Sequence, residues 1–150
     1  MRRFAQAEPR RLADFAGDWT LTRTISQGDG TEAHFQGRAR WHWQDHGPEP
    51  ELAPELAYFE TGLLSLPGQP PMQAERRYIW RDGPTVWFDD ERFFHAVPPL
   101  GGEAHHHCDP DDYRVSYDFS RWPDFSTVWT VRGPRKDYRM HSHFTRLKPA

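Results

Sequence analysis

The chain of 150 residues has the length of one domain, and its formal net charge of −3 at pH 7 comes from 19 basic and 22 acidic side chains. A mean hydropathy of −0.93 together with 15% aromatic residues is typical of a polar exterior around a core of bulky side chains. No apolar stretch approaches the roughly 20 residues that span a bilayer, and arginines are scattered with no basic run, so the sequence argues against membrane and nucleic-acid partners.

One cysteine, Cys108, excludes an internal disulfide. The basic start at Met1 is not followed by the apolar segment of a secretory signal, so a cytoplasmic location is expected. We expect residues 1–150 to form a single domain, as a monomer or a homodimer.

A short helix and ten strands are predicted in chain order. Leu12, Phe15 and Ala16 have helical spacing behind Pro9, and Gly17 ends that helix. From residue 19 the apolar period changes from helical spacing to two, as in a strand with one buried face. The predicted strands cover residues 19–25, 33–43, 56–66, 73–81, 85–89, 92–97, 104–108, 113–119, 125–132 and 138–147.

The connections between these strands are short and rich in Gly, Pro and Asp, which favours consecutive hairpins. One longer connection, residues 46–54, is expected to lie over an open end. The fold class predicted is all-β: a closed antiparallel up-and-down β-barrel of about ten strands with a short N-terminal helix and with the first and last strands adjacent.

The first and last predicted strands each contain residues that resemble those of a known group of β-barrels. The Gly17-Asp18-Trp19 opening of the first strand and Arg146 near the end of the last strand resemble the calycin-type barrels: lipocalins, fatty-acid-binding proteins and nitrobindin-like haem proteins. The resemblance implies that Trp19 lies at the closed end of the barrel and that Arg146 packs across it. A guanidinium over an indole contributes about 0.5–2 kcal/mol.

A second resemblance covers nearly the whole chain. Residues 74–80, 88–95 and 133–138 are similar to a bacterial family of uncharacterised single-domain proteins. That family implies no particular activity.

Side-chain parity predicts the barrel interior, because alternate residues of a strand face opposite sides of a sheet. An inward Trp19 turns Arg23 inward as well, and the same argument points Phe93, His95 and Val97 inside. The resulting wall is aromatic with a few polar groups, which suits a small amphipathic or acidic ligand. The ligand-binding candidates are Arg23, Arg76, Tyr78, His95, Tyr113 and Tyr117.

Arg76 and Tyr78 lie two apart on one strand face. Fatty-acid-binding proteins bind a carboxylate with an Arg-x-Tyr pair on the last strand, and here the pair is in mid-chain. The chemistry is the same, since a guanidinium and a phenol supply converging hydrogen bonds to one anion. The alternative is that Arg76 pairs with an internal carboxylate such as Glu60.

Three functions remain open from the sequence. The favoured one is a protein that holds a partly apolar, anionic small molecule inside the barrel. The second is an enzyme of isomerase, cyclase or hydratase type, in which His95 or His105 transfers a proton while Tyr78 or Arg76 stabilises negative charge. The third is a structural or dimeric protein whose barrel is filled by its own aromatic side chains.

No cofactor is predicted. His105 and His107 share a strand face and could hold zinc with His95 or Asp109 as a third ligand, but a hydrogen-bonded histidine strand is favoured. Haem requires an inward histidine on a late strand, whereas parity turns both histidines of the last strand, at positions 141 and 143, outward.

Overall fold

A computed structural model of the chain describes residues 8–45 and 53–147. Ten strands form one antiparallel sheet, which confirms the all-β prediction. Most of the predicted 46–54 loop lies outside the described residues. The strands are β1 (Gly17–Gln27), β2 (Glu32–Trp43), β3 (Glu55–Ser65), β4 (Met72–Arg81), β5 (Thr85–Phe88), β6 (Phe93–Ala96), β7 (Gly102–Cys108), β8 (Asp111–Asp118), β9 (Phe125–Gly133) and β10 (Lys136–Arg146).

The strand order is β6-β5-β4-β3-β2-β1-β10-β9-β8-β7. Each strand therefore pairs with its neighbours in the chain, and the first strand also pairs with the last, as predicted, with Trp19 opposite Arg146. β6 and β7 are the two edges of the sheet, and the described residues form no ladder between them. They meet through side chains, with the rings of Phe94 and His106 5.4 Å apart, so the barrel is nearly closed.

The inward face of β6 differs from its prediction. Phe93 is 47% exposed on the outer face, whereas Phe94 and His95 are both buried. The pairing of β5 with β6 shifts register between Val86 and Trp87. Such a bulge reverses, at one point, which side chains of a strand face inward. The expectation that Phe93 points inward is therefore wrong, and the expectation that His95 points inward is right.

Two glycines allow β2 and β3 to approach closely. Gly37 and Gly62 are directly paired across the two strands. A methyl group on either one would overlap the backbone of the other strand, at the carbonyl oxygen of Thr61 or of Gln36. Only glycine fits both positions, so the pair lets the two strands approach closely at this point.

A short 3-10 helix, Leu12–Phe15, covers one end of the barrel, where a short helix was expected. Phe15 is fully buried, and its carbonyl accepts a hydrogen bond of 3.0 Å from the Trp19 indole N–H. The Arg146 guanidinium lies 4.3 Å above the Trp19 ring and donates to the carbonyls of Asp14 and Ala16. Among the described residues no helix is long and apolar enough to cross a membrane.

Replacing Arg146 by Ala is expected to lower the free energy of unfolding by about 2 kcal/mol, because it removes a cation–π contact and two charge-assisted hydrogen bonds. Urea unfolding measures the change. Arg139→Ala is the control, since Arg139 is an exposed residue of the same strand. Equal losses in the two variants would contradict a specific role of Arg146 in closing this end.

Candidate functional site

A cavity of about 250 Å³ lies inside the barrel. Its volume falls just below the range of roughly 300–1,000 Å³ that is usual for drug-sized ligands. Most of the side chains that line it are Phe, Tyr or Trp, and the polar minority comes from several different strands. The space therefore suits a compact, largely apolar molecule with few polar groups.

All six ligand-binding candidates line this cavity: Arg23, Arg76, Tyr78, His95, Tyr113 and Tyr117. Sequence reasoning did not select four further polar residues of the wall, which are Tyr58, Glu60, Thr127 and Tyr138. For Tyr138 a signal existed, because the parity that turns Arg146 inward also turns Tyr138 inward. Glu60 was expected only as an internal carboxylate paired with Arg76, and nothing in the sequence marked Thr127 as more than part of the wall.

Arg23 and Glu60 form a buried ion pair on one side of the cavity. Two nitrogens of Arg23 donate to the two carboxylate oxygens at 2.6 and 3.0 Å, and its Nε donates to the Ser142 hydroxyl at 2.7 Å. The Tyr58 hydroxyl donates to the same carboxylate at 2.6 Å. Burial alone would raise the pKa of Glu60, but the hydrogen bond and charge of Arg23 outweigh it and lower the pKa.

Because Glu60 balances the charge of Arg23, this arginine does not serve as the partner of an anionic ligand. The pairing also corrects the alternative in which Arg76 takes Glu60 as its partner. Arg76 is directly opposite Glu60 in the β3–β4 ladder, yet its guanidinium reaches the Met140 sulfur at 3.8 Å and forms no ion pair with a carboxylate among the described residues. Arg76 is an exposed residue that also lines the cavity, so its guanidinium is open to solvent and to a ligand.

Two tyrosine hydroxyls accompany Arg76. Those of Tyr78, on the same strand, and Tyr138, on β10, line the cavity and have no hydrogen-bond partner in the described part of the chain. Burial raises the pKa of Tyr138, and the positive charge of Arg76 opposes that rise, so the two side chains lie within electrostatic reach. Together the three groups supply hydrogen-bond donors that can converge on an anion.

His95 and Tyr117 form a second buried polar pair, with 2.8 Å between Nε2 and the hydroxyl. Burial, with the nearby His106, lowers the pKa of His95 to about 3, and burial raises that of Tyr117. The imidazole is therefore neutral and the phenol protonated at neutral pH. Whether the phenol or the Nε2–H group donates is set by the imidazole tautomer, and Nδ1 has no partner among the described residues.

Tyr113 has a different environment at the cavity rim. Lys136 donates to its hydroxyl at 2.9 Å and forms an ion pair with Asp111 at 2.8 Å. The hydrogen bonds to Asp111 and to Tyr113 raise the pKa of Lys136. The Tyr113 hydroxyl accepts the bond from Lys136 and keeps its own hydrogen to donate, and its ring forms part of the wall.

The candidate histidines of β7 lie outside the cavity. His105 and His107 are exposed and both approach Asp112, whereas His106 between them turns toward Phe94. His105 therefore cannot transfer a proton inside the barrel, and the enzymatic hypothesis loses that candidate. The described residues contain no group of three or more His, Cys, Asp or Glu side chains arranged to hold a metal ion.

The fold and the cavity define a calycin-like barrel. The chain belongs to DUF6314, a family of unknown function whose model matches residues 15–146. No curated protein matches the sequence. Among solved structures the chain is similar to the S-type phycobiliprotein lyase CPES from Guillardia theta, with a TM-score of 0.65 and 11% identity over 93% of this chain and 92% of that chain. At this identity the similarity supports the fold alone.

Proposed function

We propose that the protein binds a small, partly apolar anion inside the barrel and holds its acid group against Arg76, Tyr78 and Tyr138. The observation that carries the proposal is the contrast between the two arginines of the wall. Arg23 is neutralised by Glu60, whereas Arg76 forms no ion pair with a carboxylate in the described part of the chain.

The charge of the wall supports an anionic ligand. Arg23 and Glu60 cancel, and His95 is neutral because its pKa is lowered to about 3. Arginine remains protonated at all physiological pH values, so Arg76 leaves the lining with one net positive charge. The aromatic remainder of the wall favours an apolar body behind the acid group.

Enzymatic use of the cavity is the second candidate, and the structurally similar CPES protein is named a lyase. The chemistry of His95 weighs against proton transfer by that residue. A histidine with a pKa of about 3 is neutral near pH 7, so it has no proton to give as an acid and is a weak base. Tyr78 remains as the candidate for stabilising developing charge, and we favour binding without turnover.

Titration calorimetry with phenylacetate and octanoate tests the proposal, and the corresponding neutral amides serve as ligand controls. We expect the acids to bind and the amides to bind more weakly. Arg76→Gln is expected to lower affinity for the acids about 10- to 100-fold, because a charge-assisted hydrogen bond to a carboxylate is lost.

Arg77→Gln is the matched protein control. Arg77 is the next residue of β4, but it lies on the outer face, stacked 4.3 Å from the Phe59 ring. Its substitution should leave affinity unchanged. Equal binding of acids and amides by the wild-type protein, or equal affinities of the Arg76→Gln variant and the wild type for the acids, would contradict the proposal.

A further inference from the structure

We infer that the ligand carries a second polar group, a hydroxyl held by Thr127, at the end of an aromatic ring whose acid group lies at Arg76. The inference rests on the proposed function and specifies its ligand class as hydroxylated aryl acids. The observations that carry it are a polar row on the inner wall and the position of one unused hydroxyl within that row.

The polar row crosses four neighbouring strands. Arg23 is paired with Ser142, Ser142 with Thr127, and Thr127 with Tyr117. All four side chains are buried. Arg23 donates to Ser142, and Tyr117 is bound to His95, so these members of the row have partners.

Thr127 is the exception. It is 5% exposed and lines the cavity, yet its hydroxyl has no hydrogen-bond partner among the described residues. The hydroxyl is not among the water-excluded polar atoms, so it is accessible from the cavity, and a ligand hydroxyl beside Thr127 would give it a hydrogen-bond partner.

Strand geometry sets the length scale of the ligand. The Arg76 guanidinium contacts the Met140 sulfur, and Thr127 lies beside Ser142, two residues further along the same inner face of β10. Two residues along a strand and one step across strands put the backbones at Met140 and Thr127 roughly 8 Å apart. A benzene ring with an acid side chain and a hydroxyl on opposite carbons has a comparable length.

The wall between these two ends is aromatic. Trp129 pairs with Met140 and is two residues from Thr127 on the inner face of β9. Its ring stacks on Phe94 with centroids 5.1 Å apart, and Phe94 stacks on Phe88 at 4.5 Å. A planar aromatic ring can pack against this stack in the offset geometry that such rings prefer.

The test compares 4-hydroxyphenylacetate, phenylacetate and 2-hydroxyphenylacetate by titration calorimetry. The wild-type protein should bind the 4-hydroxy acid about three- to tenfold more tightly than phenylacetate, the gain of one hydrogen bond. The 2-hydroxy acid should bind like phenylacetate, since its hydroxyl points away from Thr127. Equal affinities for the 4-hydroxy acid and phenylacetate would overturn the inference while leaving the proposed function intact.

Two variants assign the preference to Thr127. Thr127→Val keeps the shape of the side chain and removes the hydroxyl, so the ratio of the affinities for the 4-hydroxy acid and for phenylacetate should fall to about one. Thr127→Ser keeps the hydroxyl and should keep the preference. A preference that survives in the valine variant would overturn the inference, and absence of binding by all three acids would overturn the proposed function on which it rests.

Discussion

Glu60→Gln is expected to lower the free energy of unfolding by about 3–5 kcal/mol, because it leaves the Arg23 charge in the barrel core without its counter-ion. Glu60 is 2% exposed and accepts from Arg23 and from Tyr58. Urea unfolding at pH 7 measures the loss. Glu75→Gln is the matched control, since Glu75 is an exposed residue of neighbouring β4, and we expect its effect to stay within about 0.5 kcal/mol.

A double variant separates the pair from the packing around it. Replacing Arg23 and Glu60 together by Met removes both charges, and buried ion pairs replaced by apolar residues of similar volume are often tolerated. We therefore expect the double variant to be more stable than Glu60→Gln. If it is less stable than that single variant, the cost arises from lost side-chain shape and not from an unpaired charge.

Acid conditions should weaken the same pair. The folded-state pKa of Glu60 is below its ordinary value of 4.5, so its contribution is complete above about pH 4.5 and is lost as the pH falls through the folded-state value. His95, whose pKa is lowered from 6.5 to about 3, destabilises the fold over an overlapping range from pH 6.5 downward. The difference in the free energy of unfolding between the wild type and Glu60→Gln, measured at each pH, reports the contribution of the carboxylate alone. That difference should shrink below pH 4.5.

The barrel was predictable because its signals are local. Each strand carries its own alternation, and the short connections leave few ways to arrange ten such strands. The position of Arg146 opposite Trp19 follows once the first and last strands are neighbours. The same parity placed Arg76 and Tyr78 on one inner face, where the structure has them.

The partner of Glu60 was not predictable from the same information. Arg23 lies on β1 and Glu60 on β3, with β2 between them, so no pairing along the chain marks their contact. Arg76 is the direct cross-strand neighbour of Glu60, and the sequence offered that pairing as the alternative to an anion-binding role for Arg76. Which arginine reaches the carboxylate depends on how side chains cross the barrel interior, and a strand pattern does not contain that information.

Elsewhere in the site, the prediction of which side chains face inward failed because of shifts by a single residue. The bulge between β5 and β6 exchanged the inner and outer positions at Phe93 and Phe94. In β7 three consecutive histidines carry no alternation of polarity, so the sequence alone did not show that His106 points inward and its neighbours outward. Parity fails where residues of one type fill both faces of a strand or where a bulge interrupts it.

Phe15→Ala is expected to lower the free energy of unfolding by about 3–5 kcal/mol, the usual effect of truncating a fully buried aromatic side chain to alanine. Phe15 is 0% exposed, and its ring lies 5.0 Å from Trp80, 5.6 Å from Phe125 and 5.9 Å from Trp41. Those three residues line the cavity, so the short 3-10 helix supports the floor of the site as well as the end of the barrel. Urea unfolding measures the cost.

Phe93→Ala is the matched control, because it makes the same chemical change at a side chain that is 47% exposed on the outer face. Its expected cost is below about 1 kcal/mol, since little apolar surface returns to water. A cost for the Phe15 variant no larger than for the Phe93 variant would mean that the helix does not close the barrel. The backbone carbonyl of Phe15 still accepts from Trp19 in the alanine variant, so a large loss reports the packing of the ring alone.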